Sequence, residues 1–163
     1  GITVHDRPVV DAALSRAEET EAPAAALELA DGRMITGKTT DLLGPCAALL
    51  LNALKELAGI PHSQPVISPA AIEPIQTLKT QYLGSKNPRL HMDEVLIALS
   101  VSAASDPNAQ KALEQLPNLK GCQAHTSVMV SDVDRKLFMK LSIQATFEAK
   151  YENNSVIFSK KGI

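Results

Sequence analysis

Apolar residues recur every three or four positions along several stretches of the chain, which is the spacing of a helix with one buried side. The first stretch covers residues 9–17, with Asp6 as its predicted N-cap. The second covers residues 42–57 and is apolar around much of its circumference, so we expect it to be covered on more than one side. Further helices are predicted to begin at Ser68, Asp93, Asp106 and Ser131.

A β-hairpin is predicted between the first two helices. Residues 25–30 form one strand, residues 33–36 return, and Asp31-Gly32 is the two-residue turn that joins them. This turn sets Leu29 opposite Met34, which makes one face of the ribbon mostly apolar.

Three more strands follow from short apolar or alternating segments, at residues 64–67, 124–130 and 143–147. Strands alternating with helices predict an α/β fold, a layered α/β/α domain whose mixed sheet includes the β-hairpin. Residues 1–152 would form this single domain and residues 153–163 a tail.

The predicted order of elements is similar to that of cytidine-deaminase-like folds. Zinc-dependent deamination needs a His or Cys two residues before a Glu, together with a Pro-Cys-x-x-Cys pair. The sequence contains neither, so the likeness concerns topology alone.

Residues 32–39, GRMITGKT, match the glycine-rich phosphate loop of nucleotide-binding proteins at every required position. In such a loop, backbone N–H groups and the lysine surround phosphates. The hairpin is the competing interpretation, and we favour it because Asp-Gly is a strong turn signal and too few parallel strands remain for a nucleotide-hydrolase sheet. In the hairpin, Lys38 and Thr39 still lie near a helix N-terminus, where free N–H groups favour anions.

The composition argues against several classes of function. The chain has 163 residues, 45% of them hydrophobic, and a formal net charge of −2, which gives no reason to expect a nucleic-acid surface. Aromatic residues make up only 3%, and no stretch is long and apolar enough to predict a membrane span. Cys46 and Cys122 share no metal-ligand spacing, so we interpret both as small buried residues of a cytoplasmic protein, with no metal or cofactor.

The polar loop between Gly84 and Glu94 is the most site-like stretch. Lys86 and Arg89 suit a phosphate or carboxylate, and His91 could transfer a proton. A polar connection between two helices, with no ligand, is the alternative. The candidate ligand-binding residues are Lys38, Thr39, Ser85, Lys86, Asn87, Arg89, His91 and, opposite them, His125, for which a purely structural role competes.

Several stretches of the chain resemble a single protein family. They are residues 6–10, 27–39, 73–91 and 119–125, and the string from Gly84 to His91 is long and unusual. These stretches resemble the C-terminal portion of a bacterial family catalogued as domain of unknown function 1846. The resemblance implies a C-terminal domain of a longer, cytoplasmic bacterial protein. It implies no catalytic residue, because the family has no established reaction.

Two classes of function stay open. In the first, the domain forms a cleft for an anionic, phosphorylated small molecule, and the candidate residues converge in space. In the second, it is a non-catalytic packing or oligomerisation domain, whose helix over residues 42–57 meets the N-terminal part of its own protein or a second copy.

Overall fold

A computed structural model describes residues 7–150 of the chain, and residues 1–6 and 151–163 lie outside the described part. The four strands are β1 (Ala24–Glu28), β2 (Met34–Lys38), β3 (Gln123–Thr126) and β4 (Gln144–Phe147). They form one sheet in the order β2-β1-β3-β4, with β1 antiparallel to both β2 and β3, and β3 parallel to β4. The predicted α/β fold with a mixed sheet and a hairpin is confirmed. The likeness to cytidine-deaminase-like folds stays a prediction, and the predicted tail lies outside the described residues.

Six α-helices lie within the described residues: α1 (Pro8–Thr20), α2 (Pro45–Ala58), α3 (Pro69–Thr77), α4 (Met92–Ala103), α5 (Pro107–Leu113) and α6 (Asp132–Lys140). A π-helical segment (Leu78–Tyr82) extends α3, and a 3₁₀ turn (Leu116–Leu119) follows α5. Four of the helices begin with proline, whose fixed φ suits the first turn and which has no N–H to satisfy there.

Five of the six helix starts agree with the sequence to within two residues, whereas the second helix begins at Pro45, after the N-cap Gly44, although its apolar pattern begins at Leu42. Ser68 and Ser131 are N-caps as predicted, and so is Asp106. The fourth helix is capped by His91 instead of Asp93, and the first by Arg7 instead of Asp6, which lies outside the described residues.

The sheet separates two apolar cores of unequal size. The smaller core lies under α1, where Val9, Val10 and Ala13 pack against Ala26 of β1. The larger core covers the opposite face and is built from α2, α4, α5 and α6. The predicted α/β/α layering is therefore present, with a single helix on one side.

Gly37 lets α2 approach the sheet closely. A Cβ atom at this position would lie 2.3 Å from the backbone N of Leu49 and 2.7 Å from its Cα. No side chain fits there, because the atoms in the way belong to the helix backbone. The second glycine of the phosphate-loop pattern thus serves helix packing.

The hairpin exists, but its predicted register is wrong by one residue. Gly32 has a φ of +92°, and its N–H donates to the carbonyl of Leu29, 2.9 Å away. The N–H of Leu29 donates in turn to the carbonyl of Arg33, which gives a three-residue loop with a bulge in place of the two-residue turn. Met34 consequently pairs with Glu28. Because residues 34–38 form a strand of this hairpin, the phosphate-loop alternative is wrong.

Two predicted strands are absent or shorter. Residues 64–67 form turns and bends, since Pro65 has no N–H for a ladder, although Val66 and Ile67 are buried. The strand predicted over residues 124–130 ends at Thr126, whose hydroxyl donates to the carbonyl of Val128 at 2.6 Å and holds the chain in a turn.

The segment after α3 exposes most of its large apolar side chains. A continuous α-helix would place Ile75, Leu78, Tyr82 and Leu83 on one inner side, but the last three are exposed and Lys79 is buried instead. A π-helical turn holds more residues than an α-helical turn, so each extra residue rotates the following side chains by about 100°.

Candidate functional site

The polar loop before α4 is held together by its own side chains. The hydroxyl of Ser85 accepts a hydrogen bond from the N–H of Asn87 at 3.1 Å. The side-chain oxygen of Asn87 accepts another from the N–H of Arg89, also at 3.1 Å. Lys86 lies between them and is exposed. The loop therefore has a defined shape that uses Ser85 and Asn87 internally.

This loop docks onto the segment that joins β2 to α2. Nε of Arg89 donates to the carbonyl of Thr40 at 2.6 Å. The N–H of Leu90 donates to the carbonyl of Leu42 at 3.0 Å, and the N–H of Gly44 donates back to Leu90 at 3.2 Å. The loop that carries Lys86 and Arg89 thus contacts, at Thr40, the segment that directly follows Lys38.

Lys79 is a residue of this region that sequence reasoning missed. Its ammonium group donates to the carbonyl of Arg89 at 2.6 Å and to Oε1 of Glu94 at 2.9 Å. The same carboxylate oxygen accepts the N–H of His91 at 2.7 Å, at the start of α4. The apolar spacing of this segment predicts an exposed Lys79. Its hydrogen bonds to Arg89 and Glu94 become apparent only from the π-helical turn in the structure.

The start of α4 also receives a buried carboxyl group from α6. Oδ1 of Asp134 accepts the N–H of Met92 at 2.9 Å, and the residue is only 6% exposed. Burial raises the pKa of Asp134, against the lowering effect of that hydrogen bond. The N–H of Asp134 donates to the hydroxyl of Ser131 at 3.2 Å, which is one of the two hydrogen bonds of a capping box.

His125 lies apart from the loop, in the layer under α1. Its Nδ1 is 2.6 Å from the hydroxyl of Thr146, and its Nε2 is 2.7 Å from Oε2 of Glu148. The Thr146 hydroxyl also accepts a hydrogen bond from Arg7, the N-cap of α1. His125 pairs with Ala26, which faces α1, and is 1% exposed. The structure therefore does not place His125 opposite the loop as predicted.

Thr39 is likewise committed to the fold. The residue is buried, its hydroxyl donates to the carbonyl of Pro23 at 3.2 Å, and its N–H donates to the same carbonyl at 2.9 Å. These bonds extend the hairpin beyond β2 by one residue.

A groove of about 390 Å³ runs along β2, at the open edge of the sheet. β2 forms one wall and α2 forms the other. Lys38, predicted from sequence, lies in its lining. The lining residues with polar side chains that sequence reasoning did not single out as ligand-binding are Arg16, Thr36, Thr40, Asn52, Lys55, Glu56 and His62.

The groove carries an excess of positive charge. Lys55 is buried, its ammonium group donates to the carbonyl of His62 at 2.8 Å, and burial lowers its pKa. Within residues 7–150, the ammonium group of Lys38 has no hydrogen-bond or ion-pair partner. The carboxylate of Glu56 is already occupied, because Arg33 donates to its Oε2 at 2.7 Å. An anion entering this groove would therefore meet an uncommitted ammonium group.

The helix predicted to offer an apolar docking surface is interior. Leu49, Leu50 and Leu54 of α2 are each at most 2% exposed and belong to the larger core. Much of its apolar surface already contacts the sheet and α5, and a contact of this helix with the N-terminal part of its own protein or with a second copy stays a prediction. Across the described part of the chain, no helix has both the length and the apolar character needed to cross a membrane.

Comparison with known proteins gives the family. The model of the family described as "Domain of unknown function DUF1846, C-terminal" matches residues 5–157. A UPF0371 protein of Corynebacterium glutamicum is 56% identical over 156 residues, which cover 96% of this chain and 32% of that protein. A UPF0371 protein of Streptococcus thermophilus is 49% identical over 152 residues, which cover 93% of this chain and 31% of that protein. The chain thus spans about a third of the length of these curated relatives, and it belongs to the bacterial DUF1846 family as a C-terminal domain.

Proposed function

We propose that this domain binds an anionic small molecule, of the phosphate or carboxylate class, in the groove along β2. The main support for this proposal is that Lys38 lines the groove and that its ammonium group has no hydrogen-bond or ion-pair partner among the described residues. The carboxylate of Glu56, which also lines the groove, is already paired with Arg33. A hydrogen bond between an ammonium group and an anion is among the stronger polar interactions in proteins.

Other groups around the groove support the same ligand class. The side-chain amide of Asn52 donates one N–H to the carbonyl of Thr36 at 3.0 Å and keeps a second N–H for a ligand. Lys55 adds positive potential from within the wall. At the end lined by Thr40, the guanidinium of Arg89 is fixed by its hydrogen bond to that residue.

Titration with inorganic phosphate, glucose 6-phosphate and adenosine 5′-monophosphate, followed by thermal unfolding, tests the proposal. A ligand at a hundred times its dissociation constant should raise the free energy of unfolding by about 2.7 kcal/mol. The Lys38→Gln variant should bind that ligand at least about tenfold more weakly, because a hydrogen bond to a charged group contributes about 1.5–3 kcal/mol.

Lys111→Gln is the matched control, since it removes the same charge from an exposed position on α5. Its affinity should stay within about twofold of the parent chain. Absence of any stabilisation by the three ligands, or equal binding by the Lys38→Gln variant, would show that the groove is not an anion site.

A further inference from the structure

α4 is apolar on almost its whole circumference, yet one side of it is open. Val95, Ala98 and Leu99 are buried in the larger core. Ile97 is 62% exposed and Val101 is 70% exposed. A helix that is apolar all round is normally covered all round, but residues 7–150 leave the side that carries Ile97 and Val101 uncovered.

The π-helical segment shows the same feature more strongly. Leu78, Tyr82 and Leu83 are 48%, 77% and 71% exposed, whereas Lys79 between them is only 7% exposed. Orienting the charged side chain inward and three large apolar side chains outward is the reverse of what water alone favours. This orientation is expected when a further apolar surface covers the segment.

An ion pair connects the two segments that carry these exposed side chains. The ammonium group of Lys79, in the π-helical segment, lies 2.9 Å from Oε1 of Glu94. Glu94, Ile97 and Val101 are spaced by three and four residues, so they share one side of α4. We name the combined surface of Leu78, Tyr82, Leu83, Ile97 and Val101 the α4 face.

We propose that the α4 face is the surface against which the preceding part of the full-length family protein packs. The matching family region is the C-terminal one, and it makes up only 32% of the Corynebacterium glutamicum relative, so most of that protein lies outside the matched region. Interfaces between domains of one chain bury about 600–1,500 Å², and large apolar side chains form their centre. The α4 face supplies five such side chains beside a polar rim that contains Glu94.

Hydroxyl-radical labelling of two proteins tests the proposal. The first is this chain, and the second is a full-length chimera in which this chain replaces the matching region of the Corynebacterium glutamicum relative. Oxidation of Tyr82 and Leu83 should be at least about fivefold slower in the chimera. Met139 of α6 is 76% exposed and lies outside the α4 face, so its oxidation should be equal in both proteins.

A double variant makes the test specific. Ile97→Gln/Val101→Gln should leave thermal unfolding of this chain unchanged, because both residues are exposed, but should restore rapid oxidation of Tyr82 in the chimera. The control Met139→Gln should leave Tyr82 protected. If the chimera does not fold, labelling of the intact relative at the residues aligned with Tyr82 and Leu83 replaces it, with slow oxidation as the expected result.

Equally fast oxidation of Tyr82 in the isolated chain and in the full-length protein would overturn the proposal. Protection of Tyr82 that depends on the concentration of the isolated chain, together with sedimentation as a dimer, would overturn it as well. That second result would assign the α4 face to a second copy of the chain.

Discussion

At the scale of single residues, Asp134 best shows how this fold uses a charged group for structure. Its carboxyl group supplies the acceptor that the first N–H of α4 needs, and it does so from a neighbouring helix. Burial raises its pKa, so the folded chain holds a proton on Asp134 more tightly than the unfolded chain does. Stability therefore falls as the pH rises from the unfolded value of 3.8 through the raised folded value.

The Asp134→Asn variant should be more stable than the parent chain at pH 7, because an amide oxygen still accepts the N–H of Met92 while the buried charge is removed. The stability difference between the two proteins should grow as the pH rises above 3.8 and then level off. Asp134→Ala leaves that N–H without an acceptor and should be about 1–3 kcal/mol less stable than Asp134→Asn. Urea unfolding between pH 4 and pH 8 measures all three proteins. A constant difference across that range would contradict the assignment.

Sequence reasoning found Lys38 but missed most residues around it. Lys38 belongs to the phosphate-loop pattern of residues 32–39, which can be recognised from sequence. Asn52, Lys55 and His62 belong to no such pattern and are spread over α2 and the loop after it. They line the groove only because α2 packs onto β2, and no local pattern reports that contact. Thr39 and His125 were singled out for their chemistry, but both are hydrogen-bonded within the fold.

At the scale of elements, the close packing of α2 on β2 shapes the groove. Gly37→Ala should destabilise the chain by about 1–3 kcal/mol, because the added methyl group would collide with the backbone of Leu49. Gly44→Ala is the control, since the nearest atom to a Cβ there is the Leu90 carbonyl oxygen at a comfortable 3.7 Å. Its cost should stay below about 1 kcal/mol. Equal stability of the Gly37→Ala variant and the parent chain in chemical denaturation would show that α2 lies farther from β2.

The positions of the helices and of the hairpin could be predicted from the sequence, but the hairpin register and the π-helical turn could not. Helix starts at Asp106 and Ser131 follow from side-chain capping, which is local, whereas Ser68 makes no capping hydrogen bond and is followed by Pro69 at the first helical position. The hairpin register depends on whether Gly32 forms a bulge, and Asp-Gly is compatible with both loops. The π-helical turn after α3 buries Lys79 in place of the apolar side chains next to it. The hydrogen bond from Lys79 to the carbonyl of Arg89, which is distant in sequence from this turn, stabilises that arrangement.

At the scale of the whole molecule, β2 is one of the two edge strands of the described sheet, and more helices cover one face of this sheet than the other. The groove lies at that edge, while the α4 face lies on the helical layer that forms the larger core. The two proposals therefore concern different surfaces and can succeed or fail separately. The alternation of strands and helices predicted the layered fold, but neither surface could be predicted, because both depend on how distant segments meet.

The most direct test is a titration of the isotopically labelled chain with inorganic phosphate, followed through its amide NMR signals. If the β2 groove is an anion site, saturable shifts should be largest for residues 34–38 and for the side-chain amide of Asn52, and they should weaken at high salt. Shifts confined to the loop from Gly84 to His91, or no saturable shift at all, would contradict the assignment of the β2 groove as an anion site.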